Sequence, residues 1–109
     1  REWDCQYEWA AHEPQAKEAL VPEDTITAIK EHRAPDGLSE DEALLVRYVQ
    51  ELLRDHRVTP ETFNRIQSRF SSLELTDLTT TIGYYSMLAC VLIAYEVQPA
   101  EGVVPLLPL

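Results

Sequence analysis

Three residues whose side chains can take part in acid–base or thiol chemistry lie close together near the start of the sequence. Cys5, Glu8 and His12 are separated by three and four positions, and this spacing places them in one stripe on a helix. A carboxylate one turn away favours protonated imidazole, so Glu8 can orient His12 and hold it charged. A histidine that titrates near neutral pH is a standard general acid or base. The pattern therefore predicts proton-transfer chemistry, with Cys5 as a thiol one turn away.

The same spacing also has a purely structural interpretation, which stays open at this point. A Glu-x-x-x-His pair on an exposed helix face stabilises the helix by about 0.2–0.5 kcal/mol and need have no other role. Zinc binding fits less well than acid–base chemistry, because structural zinc sites usually use cysteines in short pairs and the sequence has no Cys-x-x-Cys. The sequence also has no glycine-rich phosphate loop and no nucleophile elbow.

Composition limits the partners that we expect. The 109 residues suffice for one domain, and 9 basic against 19 acidic residues give a formal net charge of -10. This charge disfavours binding to nucleic acid and to anionic membranes. The longest apolar stretch, residues 82–97, is shorter than the ~20 residues that span a bilayer. The two cysteines are too few for a disulfide framework, and the first residues given, Arg1 to Asp4, show no apolar signal core. We therefore expect a soluble cytoplasmic protein with reduced thiols.

Prolines and N-cap residues divide the sequence into predicted helices. The first is expected over residues 2–12, with a break before Pro14 and a short restart over residues 14–19, because proline lacks a backbone donor. Pro22 opens the second helix, which the stretch 33–37 ends. Three further helices are predicted to begin at local start signals: Ser39 with Glu42, Thr59 with Pro60, and Thr76 with Asp77. The sequence therefore predicts an all-α fold.

The last of these helices is apolar on nearly every side and so requires cover on every side. In a chain this small, a second subunit is an expected source of some of that cover. Cys90 lies on this helix and is predicted to be a buried, inert thiol. The segment that follows, residues 98–109, contains three prolines and is predicted to form an extended C-terminal arm lying on another surface.

Residues 5–19 resemble the motif helix of the carboxymuconolactone decarboxylase superfamily, which includes the alkyl hydroperoxidase D proteins. The peroxidase branch carries Cys-x-x-Cys-x-x-x-His: Cys5 matches the first cysteine, His12 matches the histidine, and Glu8 stands in place of the second cysteine. The string Tyr-Glu-Trp-Ala-Ala-His over residues 7–12 is similar to the Glu-Trp-x-x-His form of the decarboxylase-like branch. With the helices that follow, where Leu20 replaces a usual glycine, the resemblance covers roughly residues 1–97.

The resemblance implies a multihelical alkyl hydroperoxidase D-like bundle over residues 1–97 that assembles into trimers or hexamers. It implies that the protein decarboxylates a small lactone or keto acid without a metal or organic cofactor. His12 would be the acid or base, Glu8 would orient it, and Cys5 would line the pocket. Tyr7 and Trp9 are expected to line the pocket. The acidic chain offers few cations to hold a substrate carboxylate, and those nearest in sequence are Lys17, Lys30 and Arg33, none of which the sequence singles out.

Two departures from the family pattern keep other functions open. Glu8 removes the resolving cysteine, so Cys5 can still form a sulfenic acid but not a disulfide within the motif. The family also has helices upstream of the motif, one with a glutamate in the proton relay, whereas this sequence starts almost at the motif. We expect a fragment, a longer partner chain that supplies those helices, or a degenerate site. A thiol-dependent peroxidase using Cys5 and a non-catalytic structural subunit are the alternative functions.

Overall fold

A computed structural model describes residues 1–104 and 106–109. Within these residues the chain forms five α-helices, a 3-10 turn at Pro35–Gly37, a π-helix at Glu51–Asp55, and no strand. The predicted all-α fold is therefore confirmed. The α-helices in chain order are α1 (Gln6–Glu18), α2 (Glu23–Lys30), α3 (Glu40–Gln50), α4 (Pro60–Gln67) and α5 (Ser72–Ala94).

The chain divides into two compact units. The first unit comprises Arg1, Trp3–Ala34 and Ser86–Leu109, and the second comprises Glu2 and Pro35–Tyr85. In the first unit α1 contacts α2. The candidate residues Cys5, Glu8 and His12 also belong to the first unit. The predicted division into residues 1–97 and an arm of residues 98–109 stays a prediction.

The hydrophobic core of the second unit is built from α3, α4 and α5. Leu44, Tyr48, Ile66 and Leu75 are buried, and Ile66 has no exposed surface. The hydroxyls of Tyr48 and Thr79 share a hydrogen bond of 2.8 Å, which satisfies the polar end of the buried phenol. Partly buried apolar side chains surround this core: Leu45, Leu52, Val58, Phe70, Leu78 and Ile82.

Side-chain caps decide where helices of the second unit begin. Ser39 is the N-cap of α3, as predicted, and its Oγ accepts a hydrogen bond of 3.3 Å from the Glu42 amide. Helix α5 begins at Ser72, so the predicted start at Thr76 was wrong. Ser71 and Glu74 form a capping box there, in which each side chain accepts a hydrogen bond from the other residue's backbone N–H.

Helix α1 also differs from its prediction. It begins at Gln6 rather than at residue 2, because Asp4 has a left-handed backbone, with φ of 49°, and Cys5 is the extended N-cap. It then continues through Pro14 to Glu18, so the predicted break and restart were wrong. Pro14 removes one hydrogen bond from the helix, but its ring is exposed and the preceding Glu13 is buried and held by three donors, described below.

Helix α5 is 23 residues long and, by length and composition alone, apolar enough to cross a membrane. It is longer than the apolar stretch of residues 82–97, because Ser71 and Glu74 start it ten residues earlier. The length argument against a membrane span therefore does not apply to α5. A single helix of this kind is weak evidence for a membrane protein. The cytoplasmic location stays a prediction.

Leu20, which stands where the resemblance implies glycine, has a left-handed backbone with φ of 61° and is 86% exposed. A residue with a Cβ is destabilised by roughly 1–2 kcal/mol in this conformation, so glycine at this position would relieve the strain. Glycine also loses more backbone entropy on folding, which offsets part of that stabilisation. We expect Leu20→Gly to raise the free energy of unfolding by about 0.5–1 kcal/mol in denaturant titration. The control Leu73→Gly, exposed but helical, should lower it by about 1 kcal/mol. Effects of the same sign in both variants would contradict the prediction.

Candidate functional site

Glu8 and His12 lie one turn apart on α1. Glu8 is half-buried, and its Oε1 atom is buried without a hydrogen-bond partner among the described residues. Burial raises the pKa of Glu8 above its ordinary value, while the nearby His12 acts in the opposite direction. A carboxyl group with a raised pKa and a free oxygen can exchange a proton with a bound molecule or with a neighbouring imidazole.

Replacing Glu8 with glutamine is expected to raise the melting temperature at neutral pH, because the amide avoids placing a charge in a half-buried position. A carboxyl group whose pKa is raised by folding contributes stability below its ordinary value of 4.5, and that contribution is lost as the pH rises through the folded-state pKa. The advantage of the variant should therefore vanish below pH 4.5.

Thermal unfolding of the Glu8→Gln variant, followed by circular dichroism from about pH 3 to 8, measures this effect. Glu18→Gln changes an exposed carboxylate on the same helix and should leave the melting temperature nearly unchanged. A lower melting temperature for Glu8→Gln than for the parent at pH 7 would show that the carboxylate is stabilised in the fold, contrary to the prediction.

Cys5 is the N-cap of α1 and is 7% exposed. It lines a cavity of about 350 Å³, whose other walls include Leu92 and Ile93 of α5. Glu8 and His12 are not among the residues that line this cavity, and the predicted grouping of Cys5 with them in one site stays a prediction.

Cys90 is exposed, so its predicted burial was wrong. Its neighbours Met87 and Val91 on α5 are also about half exposed, at 54% and 51%. The described residues leave this face of the helix uncovered, and an apolar sequence alone does not reveal which face lacks cover. Both cysteines are free thiols in the structure.

The two aromatic residues that flank Glu8 differ in their surroundings. Tyr7 is 45% exposed. Trp9 is half-buried, its Nε1 donates a hydrogen bond of 2.6 Å to Glu13 Oε2, and the Lys30 Nζ lies 6.0 Å from its ring centroid. The polar edge of Trp9 is thus occupied by a protein carboxylate. The pocket-lining role assigned to Tyr7 and Trp9 stays a prediction.

Glu13 is the titratable residue that the sequence reading missed. It is 5% exposed and receives three hydrogen bonds: from Trp9, from Lys30 Nζ at 3.1 Å and from Lys17 Nζ at 3.0 Å. Burial opposes its ionisation, but these donors outweigh burial and hold the pKa of Glu13 below its ordinary value. Trp9 and Lys17 each lie four positions from Glu13, and this spacing could have predicted that both contact Glu13 on a helix.

The cations proposed to hold a substrate carboxylate are already paired within the protein. Lys17 and Lys30 contact Glu13, Lys17 lies also 3.5 Å from Glu23, and Arg33 pairs with Glu31. An anionic substrate would have to compete with these carboxylates. Among the described residues, no group of three or more His, Cys, Asp or Glu side chains is arranged to hold a metal ion.

Comparison with known proteins gave no match: no family model, curated protein sequence or solved structure matches this chain at a significant level. The resemblance carried by residues 5–19 therefore stays a prediction. The function proposed below combines that resemblance with the surroundings of Glu8 and His12.

Proposed function

We propose that the protein is a decarboxylase-like lyase of the carboxymuconolactone decarboxylase superfamily, acting on a small lactone or keto acid without a metal or organic cofactor. The observation that supports this function is the half-buried Glu8, with its raised pKa and unpartnered oxygen, one turn from His12. A pair that served only to stabilise an exposed helix face would keep its carboxylate hydrated, because an unpaired buried oxygen is unfavourable.

The chemistry requires a proton on the carbon skeleton in place of the carbon dioxide that leaves. When the carbon–carbon bond to the carboxylate breaks, its electron pair moves into the carbonyl, directly in a β-keto acid or through the conjugated double bond in an unsaturated lactone, and forms an enolate. Protonated His12 then delivers a proton to the enolate carbon, and the neutral imidazole takes up a proton from water. Glu8, one turn away on the same helix, orients His12.

A direct assay tests this function. Purified protein is incubated with carboxymuconolactone, and release of carbon dioxide is followed together with loss of the substrate. We expect a rate that is proportional to protein concentration and is unchanged by a metal chelator. If no release above the buffer rate occurs between about pH 5 and 8, the proposed reaction is wrong. Consumption of a hydroperoxide with a thiol reductant in the same preparation would instead indicate the peroxidase.

We propose in addition that the protein is a soluble cytoplasmic homo-oligomer, a trimer or hexamer as the resemblance implies. The uncovered apolar side chains of α5, including Met87, Val91 and Ile93, support this assembly, because a second copy would remove them from water. Light scattering in detergent-free buffer should give three or six times the 12.5 kDa chain mass. A monomer would contradict the assembly, and recovery only from membranes with detergent would assign α5 to the bilayer.

A further inference from the structure

A pair of hydrogen bonds joins the start of α1 to the C-terminal arm. Gln6 Nε2 donates to the Leu107 carbonyl at 2.9 Å, and the Leu107 N–H donates to Gln6 Oε1 at 2.7 Å. The side-chain amide thus pairs with both backbone groups of one residue, in the way that a neighbouring β-strand would. Leu107 is 5% exposed, although the residues on either side of it, Leu106 and Pro108, are exposed. Leu107 is therefore the anchor of residues 106–109.

This anchor lies beside the cavity that contains Cys5. Gln6 follows Cys5 directly in the chain, and both residues line the cavity. Leu109, two residues beyond the anchor, forms part of the wall and is itself 73% exposed. Leu109, the residue of this segment that lines the cavity, is thus attached through Leu107, and α5 contributes Leu92 and Ile93 to the lining.

We propose that residues 106–109 act as a releasable strap that closes the Cys5 cavity, with the Gln6–Leu107 pair as its latch. Two hydrogen bonds and one buried leucine are a small amount of stabilisation compared with that of a helix packed in a core. The strap can therefore open locally while the helices stay folded. In the docked state it limits the access of solutes to the Cys5 thiol, and in the released state the cavity and the thiol are open to solvent.

Alkylation of the two cysteines tests the strap in the intact chain, independently of any enzymatic activity. Exposed Cys90 is the internal reference, and buried Cys5 is the reporter. The rate of iodoacetamide labelling at each thiol is followed by peptide mass spectrometry. We expect Gln6→Ala to raise the labelling rate of Cys5 by roughly tenfold, the factor expected when two ordinary hydrogen bonds are lost from the docked state. The rate at Cys90 should be unchanged.

Two further variants complete the experiment. Gln15→Ala changes an exposed glutamine on the same helix and should leave both labelling rates at parental values. Leu107→Ala weakens the arm side of the latch without changing α1, and it should also raise labelling of Cys5. Amide hydrogen exchange is measured in parallel, and in Gln6→Ala the Leu107 amide should exchange faster while the amides of α2 keep their protection.

Equal Cys5 labelling in Gln6→Ala and Gln15→Ala would overturn the proposal, because the latch would then not control access. It would also be overturned if Cys5 labelling rose only together with exchange of the α2 amides. In that case unfolding of the first unit, rather than release of the strap, would expose the thiol.

Discussion

Replacing His12 with glutamine is expected to lower the rate of carbon dioxide release by about 10²–10⁴-fold, the usual contribution of a positioned general acid. Glutamine keeps much of the size of the imidazole and can donate a hydrogen bond, but it cannot transfer a proton to the enolate carbon. The loss should therefore lie in kcat rather than in KM, because substrate binding does not require the proton. Steady-state rates with carboxymuconolactone measure both constants.

The chain supplies two matched controls for this variant. His32 and His56 are exposed histidines outside α1, and glutamine at either position should leave kcat within about twofold of the parent. The melting temperature of His12→Gln should remain close to the parental value, so that a loss of rate reflects chemistry. If His12→Gln retained the parental kcat, His12 would not be the acid, and the role of Glu8 as its orienting residue would be lost with it.

Replacing Glu13 with glutamine is expected to lower the free energy of unfolding by about 2–3 kcal/mol. The neutral amide cannot form ion pairs with the two lysines. Its NH2 group would also lie against at least one of the three donors that now contact the carboxylate, and two donors cannot form a hydrogen bond with each other. The expected loss is below that of a fully buried ion pair, because Lys17 and Lys30 retain 46% and 26% side-chain exposure and can be hydrated. Urea denaturation at pH 7 measures the difference.

The pH dependence of the Glu13 effect has the opposite sign to that of Glu8. A carboxyl group whose pKa is lowered by folding contributes stability above its ordinary value of 4.5, and this contribution is lost as the pH falls through the folded-state pKa. The parent and Glu13→Gln should therefore approach the same stability in acid. Glu18→Gln is again the exposed control on α1. A full effect of Glu13→Gln that persists in acid would indicate lost packing rather than lost charge.

Local signals were enough to predict much of the fold. The starts of α3 at Ser39 and α4 at Thr59 each depend on a side-chain cap, and α2 starts after Pro22, whose fixed backbone suits a helix start. The start of α5 was missed although Ser71 and Glu74 carry the same kind of signal. The continuation of α1 through Pro14 could not be predicted from local sequence signals. A proline that breaks an isolated helix is tolerated where tertiary contacts hold the flanking turns.

The candidate site was predictable to the extent that it depends on helical spacing. Glu8 and His12 follow from a separation of four residues, but the burial that raises the pKa of Glu8 does not. Lys30 reaches Glu13 across 17 positions, and Gln6 reaches Leu107 across 101. Contacts at such separations depend on how the elements pack, and a single sequence carries no periodic pattern that reveals them. The exposure of Cys90 also depends on how the elements pack, and the sequence does not reveal it.

The Glu13 cluster has a further consequence for the rate at which substrate meets the protein. Two of the nine basic side chains are bound to one buried carboxylate, in a chain of net charge -10. The long-range field of this net negative charge repels a carboxylate substrate in solution. Added salt shortens the range of that field to about 8 Å at physiological ionic strength. Diffusional encounter with an anionic substrate is therefore faster in saline than in dilute buffer, the reverse of the electrostatic steering found in enzymes with basic clefts.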